Sequence, residues 1–202
     1  MPDAPFSIAE FMRFKRNPLF WVAAVISLVL DHLAKFWVVQ NFDLTVPPQT
    51  QAVLPGVFHF TYVVNTGAAF SLFSNGGAIW LRWLSLGVSV GLIVLAWFGP
   101  RINRWEQAGY GLILGGALGN GIDRFVSGHV VDFIDFRIIR FPVFNLVVSG
   151  HGVDFIDFRL IGFPVFNLAD VFISAGIVCL LIATFHSTPP PRSQDDRNSI
   201  SD

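Results

Sequence analysis

Charged residues are scarce in this chain of 202 residues: only 13% are Asp, Glu, Lys or Arg, while 53% are hydrophobic and the mean hydropathy is +0.59. Soluble globular domains usually carry about 25% charged residues, so this composition argues against a water-soluble domain. The abundance of apolar residues also excludes an intrinsically disordered chain. A net charge of -1 without a basic patch argues against nucleic acid as a partner.

Cysteine is nearly absent as well. The single cysteine, Cys179, excludes an intramolecular disulfide and any metal site made of cysteines alone, and its apolar surroundings favour a small buried side chain. The five histidines are scattered and form no His-Glu-x-x-His motif, so the sequence predicts no metal site and no cofactor.

Long apolar blocks are what the chain has in abundance. Four of them approach the ~20 residues needed to cross a hydrocarbon layer of ~30 Å, although the third is short. In the third block, Gly111, Gly115 and Gly119 recur every four residues and offer a small-residue stripe for close helix packing. The sequence therefore predicts an α-helical integral membrane protein with four transmembrane helices. The blocks are Leu19–Val39, Ala78–Phe98, Gln107–Ile122 and Val165–Phe185.

Basic residues predict the orientation of the chain in the membrane. The loop from Gln40 to Gly77 has no Lys or Arg, whereas basic residues precede the first block and lie between the second and third. Both chain ends are therefore expected on the cytoplasmic side. The first block is too long for a cleaved signal and is expected to be a retained anchor. The supporting residues are Arg13, Lys15, Arg16, Arg101 and Arg104; Arg137, Arg140 and Arg159 count against this orientation.

These patterns divide the chain into three parts. Residues 1–18 form a cytoplasmic tail, residues 19–186 a membrane domain, and the Pro-, Ser- and Asp-rich residues 187–202 a disordered cytoplasmic tail. Two segments on the outer side, 40–77 and 124–164, contain the alternating Phe, Val and Ile that are typical of short strands.

The polar residues within the predicted spans all fall on the outer side. Ionisable groups at this depth cost about 2.5 to 3.5 kcal/mol each on insertion scales, so by default they indicate a functional site. Asp31 and Lys35 lie four apart on one helical face, where they could form a supporting salt bridge or take part directly. Asp170 has no cation in its own span and needs a partner from another segment. The residues that fall together on this side are Asp31, Lys35, Asn120, Asp123, Arg124, Asn167 and Asp170.

Carboxylates are the main catalytic candidates in this set, because a Gly-x-Ser-Gly turn is absent and Lys35 is the only base available for a serine nucleophile within a span. Two aspartates held close together share one proton, since both cannot ionise at modest cost. The ionised aspartate can activate water while the protonated one polarises a peptide carbonyl. This is peptide hydrolysis of the aspartic type.

Four segments of the chain resemble motifs of the lipoprotein signal peptidases, the type II signal peptidases of bacteria. Each motif alone is weak, but the four occur in the right order over about residues 20 to 185. They are Asp31-His-Leu-Ala-Lys35, Asn65-Thr-Gly-Ala-Ala-Phe70, Gly119-Asn-Gly-Ile-Asp-Arg124, and Val-Asp-Phe followed by Phe166-Asn-Leu-Ala-Asp170.

The resemblance implies an aspartic endopeptidase of the bacterial cytoplasmic (inner) membrane, with four transmembrane helices, a small extracytoplasmic β-like cradle and an active site near that face. Its implied substrates are prolipoproteins, cut just before a cysteine that bears a diacylglyceryl group, so its partners are these proteins and membrane lipids. The implied catalytic pair is the Asp of Val-Asp-Phe and Asp170. The implied supporting positions are Asp31, Lys35, Asn65, Asn120, Asp123, Arg124 and Asn167.

A tandem repeat distinguishes this chain from the family pattern. Residues 126–146 recur as 148–168 with 18 of 21 aligned positions identical, so the first aspartate has two candidates, Asp154 and Asp132. Asp154 keeps a sixteen-residue distance to Asp170 and is favoured here; Asp132 keeps a nine-residue distance to Asp123. Asp135 and Asp157 are expected to be solvated loop charges.

Two alternative functions stay open at this point. A relative disabled by the 22-residue insertion would look the same in sequence, although water-side insertions are often tolerated. A small proton-coupled transporter would more often place its ionisable residues near the midplane and show internal helix repeats.

Overall fold

The computed structural model describes residues 17–67, 77–137 and 164–186. In chain order, four long helices and three strands occupy these ranges. They are α1 (Pro18–Asn41), β1 (Thr50–Leu54), β2 (Phe58–Asn65), α2 (Gly77–Phe98), α3 (Arg104–Val126), β3 (Val130–Phe136) and α4 (Leu168–His186).

Three of the described helices are long and apolar enough to cross a membrane, over Pro18–Asn41, Ile79–Phe98 and Leu168–Phe185. Most of their surface is exposed apolar side chain, which in water would be costly and in lipid is favourable. The chain is therefore a helical integral membrane protein. Each helix agrees with a predicted block to within a few residues, but α3 is less apolar than the other three because it carries charged and amide side chains at both ends.

Helix α3 lies at the centre of the bundle and packs against α1, α2 and α4. Its glycines make this possible: a Cβ at Gly111 or Gly115 would collide with the backbone and Ser27 of α1, and one at Gly116 would lie 2.5 Å from the Ala169 carbonyl oxygen of α4. The predicted small-residue stripe is thus confirmed as a packing surface. The start of α3 is fixed by a capping box in which Asn103 and Glu106 exchange hydrogen bonds.

The strands form one antiparallel sheet in the order β1-β2-β3. Thr50 pairs with Thr61, and Phe58 pairs with Phe136. A buried cluster of Val38, Phe42, Tyr62, Phe133 and Ile134 fastens this sheet to the end of α1. The strands fall within the two segments for which the alternating pattern predicted them.

The described structure draws on both copies of the repeat. Strand β3 belongs to the first copy, while Phe166 of the second copy exchanges backbone hydrogen bonds with Ile134 of β3. Helix α4 begins at Leu168, the last residue of the second copy. Residues 138–163, including Asp154 and Asp157, lie outside the described part of the chain, as do residues 1–16 of the predicted N-terminal tail and all of the predicted C-terminal tail.

Candidate active site

Asp132 lies on β3 with its side chain almost completely buried. Both of its carboxylate oxygens accept amide hydrogens: Asn167 Nδ2 donates to Oδ1 at 2.6 Å, and Asn65 Nδ2 donates to Oδ2 at 2.8 Å. Burial raises the pKa of Asp132 to about 6, although the Asn65 bond favours the charged form. A carboxyl group that titrates near neutral pH is suited to proton transfer.

Asp170 lies in the first turn of α4 and faces the same polar cluster. Asn120 Nδ2 donates to its Oδ1 at 2.9 Å, and the backbone N–H of Asn167 reaches Oδ2 at 3.3 Å. The Asp170 backbone N–H in turn donates to Asn167 Oδ1 at 3.2 Å, so Asn167 contacts both aspartates. The partner that Asp170 was predicted to need comes from α3, as Asn120.

The two aspartates line one cavity of about 730 Å³ between the sheet and the helices. One part of its wall is polar and the other part, on α2 and α4, is apolar. The polar part comprises Asn65, Asn120, Arg124, Asp132, Asn167 and Asp170; the apolar part includes Leu81, Val171, Ala175 and Val178.

Arg124 projects into this cavity from the last turn of α3. The side chain is buried, and its Nη1 donates to the backbone carbonyl of Asn120 at 3.2 Å. Within the described residues its Nε is buried without a hydrogen-bond partner. A buried guanidinium N–H without an acceptor is costly, so it is available to a carbonyl oxygen that enters the cavity.

An ionic cluster lies directly behind Asn120. Lys35 Nζ pairs with Asp31 Oδ2 and with Asp123 Oδ2, both at 2.7 Å, and donates to Asn120 Oδ1 at 2.9 Å. The predicted Asp31–Lys35 pair is therefore present. Asp31 also accepts the backbone N–H of Ala169 at 2.9 Å and so holds the start of α4.

The structure brings together all the proposed site residues that it describes: Asp31, Lys35, Asn65, Asn120, Asp123, Arg124, Asp132, Asn167 and Asp170. Asp154, the favoured candidate for the first aspartate, lies outside the described residues. Asp132 occupies the position beside Asn65 and Asn167.

The prediction that Asp135 is a solvated loop charge is wrong. Its side chain is buried on β3, where Thr61 Oγ1 donates to it at 2.7 Å and Arg137 pairs with it at 2.6 Å. Burial alone would raise the pKa of Asp135, but these hydrogen bonds outweigh burial and lower it. The sequence held a signal for this, because Asp135 lies between Ile134 and Phe136 in a segment that was predicted to contain strands and not only loops.

Sequence reasoning also missed the part played by Gly67. Its backbone N–H donates to Asn65 Oδ1 at 2.9 Å and fixes the amide that contacts Asp132. The signal was present in the Asn65-Thr-Gly67 segment, since an Asn side chain often bonds the backbone two residues on.

Apolar helices of spanning length and a cavity lined by Asp132 and Asp170 define the chain as a membrane-embedded protein with an aspartate-lined cavity. The profile of a family described as signal peptidase (SPase) II matches residues 23–147 and 146–186, with one copy of the repeat in each match. The chain belongs to the signal peptidase II family and is a peptidase.

Related proteins cover nearly the whole chain. A lipoprotein signal peptidase from Cyanothece sp. is 62% identical over 188 residues, which are 93% of this chain and 95% of the relative. A lipoprotein signal peptidase from Nostoc punctiforme is 60% identical over 178 residues, 88% of this chain and 96% of the relative.

Solved structures of bacterial membrane enzymes are similar to this chain at lower identity. One bacterial membrane enzyme superposes with a TM-score of 0.62 at 25% identity and covers 90% of this chain and 91% of its own. A second has a TM-score of 0.62 at 26% identity, with 83% and 92% covered.

Proposed function

We propose that this chain cleaves the signal peptide of prolipoproteins with Asp132 and Asp170 as its catalytic pair. The observation that carries the proposal is that Asn167 contacts the carboxyl groups of both Asp132 and Asp170 at the wall of one cavity. Two carboxyl groups in such surroundings hold one proton between them, which is the state that aspartic hydrolysis requires.

The hydrogen bonds assign a role to each aspartate. Both oxygens of Asp132 accept short amide bonds, so Asp132 carries the negative charge. Among the described residues, Asp170 Oδ2 accepts one contact, at 3.3 Å from Asn167 N, so this oxygen is the best position for the shared proton. Asp132 is then the general base, and Asp170 is the general acid.

Hydrolysis of the peptide bond takes two steps, and the two aspartates end in their starting protonation states. Water attacks the carbonyl carbon while Asp132 takes a proton from it and Asp170 gives its proton to the carbonyl oxygen, which yields a neutral diol. Asp170 then recovers a proton from one hydroxyl, Asp132 donates its proton to the leaving nitrogen, and the carbon–nitrogen bond breaks. Arg124 Nε is available to bind a substrate carbonyl during both steps.

The substrate class follows from the family and from the cavity. Relatives of this chain are named lipoprotein signal peptidases, and the apolar wall formed by Leu81, Val171, Ala175 and Val178 suits the apolar part of a lipid-modified signal peptide. We place cleavage just before the diacylglyceryl cysteine. The partners are prolipoproteins and membrane lipids.

We further propose that α3 is a fourth transmembrane helix, since it is as long as its neighbours and packs against all three. The basic residues of the short segments favour cytoplasmic chain ends in a bacterial inner membrane, with the sheet as an extracytoplasmic cradle. In this arrangement, the catalytic pair lies near the extracytoplasmic face.

A processing assay tests the proposal. The full chain, reconstituted in liposomes with a diacylglyceryl-modified prolipoprotein, should release the signal peptide, and Asp170→Asn should lower kcat by at least about a thousandfold. Asp43→Asn is the matched control, because Asp43 is an exposed loop residue. A parent chain without activity would identify a disabled relative, and an active Asp170→Asn variant would overturn the catalytic pair.

A further inference from the structure

Three asparagine side chains surround the two aspartates, and all three present their NH₂ group to a carboxylate. Asn65 and Asn167 donate to Asp132, and Asn120 donates to Asp170. An asparagine amide can turn by 180° and present its carbonyl oxygen instead. Something must therefore hold each amide in the orientation that serves a negatively charged partner.

In each case a donor on the far side holds the amide oxygen. The backbone N–H of Gly67 donates to Asn65 Oδ1, and the backbone N–H of Asp170 donates to Asn167 Oδ1. Lys35 Nζ donates to Asn120 Oδ1. A turned amide would set N–H against N–H at these positions, so each donor fixes the orientation of its amide.

Lys35 differs from the other two donors because it is a side chain and can be removed by substitution. Its ammonium group forms ion pairs with Asp31 and Asp123 and donates one hydrogen bond, to Asn120. Among the described residues this bond is the link from Lys35 to the catalytic pair, so Lys35 acts through Asn120.

We infer that Lys35 is a positioning residue for the cleavage reaction, which holds the Asn120 amide so that its NH₂ group faces Asp170. Asp31 helps to position Lys35 relative to α4, since it pairs with Lys35 and accepts the backbone N–H of Ala169 in the first turn of α4. Gly119 leaves room for this arrangement, because a Cβ there would lie 2.5 Å from Asp31 Oδ2. The inference rests on the proposed role of Asp170.

A double-mutant cycle on kcat tests the inference. Lys35→Met and Asn120→Ala should each lower kcat by about 10- to 100-fold, with KM within threefold of the parent. The kcat of the double variant should equal that of the less active single variant. A residue that only stabilises the fold would lower the folded fraction and leave kcat per folded molecule unchanged. Multiplied effects on kcat, or a Lys35→Met variant with the parental kcat, would overturn the inference.

Two further variants keep the test decisive if Lys35→Met does not fold. The cycle is repeated in the Asp123→Asn background, where loss of Lys35 leaves one fewer carboxylate unpaired. Asn120→Asp keeps an acceptor for Lys35, replaces the donor to Asp170 with a carboxylate oxygen and adds a negative charge beside Asp170, so it should lose at least tenfold in kcat. An Asn120→Asp variant with parental kcat would contradict the inference.

Asn17→Ala is the control for stability alone. Asn17 is buried directly before the first residue of α1, at the opposite end of that helix from Lys35, where it bonds Ala96 and Ile102. This variant should lower Tm without changing kcat. Asp170→Asn, measured alongside, separates the two proposals: if it keeps activity, both fail, whereas an inactive Asp170→Asn with independent Lys35 and Asn120 effects refutes only the role of Lys35.

Discussion

The two copies of the repeat have nearly the same sequence, yet the described structure takes different parts from each. The first copy supplies β3 with Asp132, and the second supplies Phe166, Asn167 and the start of α4. The residues after each copy make the difference: Val147-Val148 comes after the first copy, whereas Ala169-Asp170 comes after the second. A local sequence therefore does not decide its own role, because the role depends on which neighbours continue it.

The repeat also provides matched controls for substitutions within it, since 18 of its 21 positions have an identical residue 22 positions away. The largest expected difference is between the two candidate aspartates. Asp132→Asn should lower kcat for prolipoprotein cleavage by at least about a thousandfold, while Asp154→Asn should stay within threefold of the parent. A reversed result, measured in the same liposome assay, would give Asp154 the catalytic role.

Asn167 and Asn145 form the next pair. Asn167→Ala removes a bond to Asp132 and the bond that caps α4 at Asp170, so kcat should fall about 10- to 100-fold and Tm should drop. Asn145→Ala should change neither quantity by much. An equal decrease in kcat for both variants would show that both asparagines contribute to the active site.

Asp135 and Asp157 test the buried face of the sheet. Asp135→Asn weakens the bonds from Thr61 and Arg137, and should lower the free energy of unfolding by about 2 kcal/mol with kcat unchanged. Asp157→Asn should have no measurable effect on Tm. If Asp157→Asn proves the more destabilising of the two, the second copy and not the first forms the strand.

The raised pKa of Asp132 predicts a pH dependence of stability. Since folding favours the neutral form, Asp132 stabilises the protein most at low pH, and the benefit is lost as pH rises from 3.8 through about 6. Between pH 5 and pH 8, the stability of the parent relative to Asp132→Asn should fall by about 1.4 kcal/mol. Thermal unfolding of both proteins measures this, with Asp154→Asn following the parent. A constant difference would contradict the burial of Asp132.

The smallest effect is expected from removing 22 residues, 138–159, which joins Arg137 to Leu160. All of the deleted residues lie outside the described part of the chain, and the separation of Asp132 from Asp170 becomes the sixteen residues that separate Asp154 from Asp170. Activity should stay within threefold, and Tm should be unchanged or slightly higher. Loss of folding or activity would show that the extra residues are integrated into the fold.

Much of this architecture was predictable from the sequence. Apolar blocks predicted the helices because a membrane helix needs a fixed length of apolar chain, and the glycine interval predicted that another helix packs closely on α3. The spacing of Asp31 and Lys35 predicted their ion pair. These features depend on neighbours within one helix or on a single regular interval.

The features that the sequence could not predict depend on contacts between distant segments. The sixteen-residue spacing favoured Asp154, whereas Asp132 is the aspartate found beside Asn65 and Asn167, because pairing of β3 with β2 places it there. Burial of Asp135 likewise depends on Thr61 in another strand. Spacing along the chain carries no information about which of two nearly identical segments pairs with β2.

The division of the site between the two copies has a genetic consequence. Since the repeat spans whole codons, recombination between the copies removes 22 residues without a change of reading frame, wherever in the repeat the crossover falls. Every such product retains one Val-Asp-Phe segment and one Phe-Asn-Leu segment that is followed by Ala169-Asp170. The insertion can therefore be reversed in a single event, and selection for faster lipoprotein processing in a growing culture should recover single-copy revertants if the longer chain carries any cost.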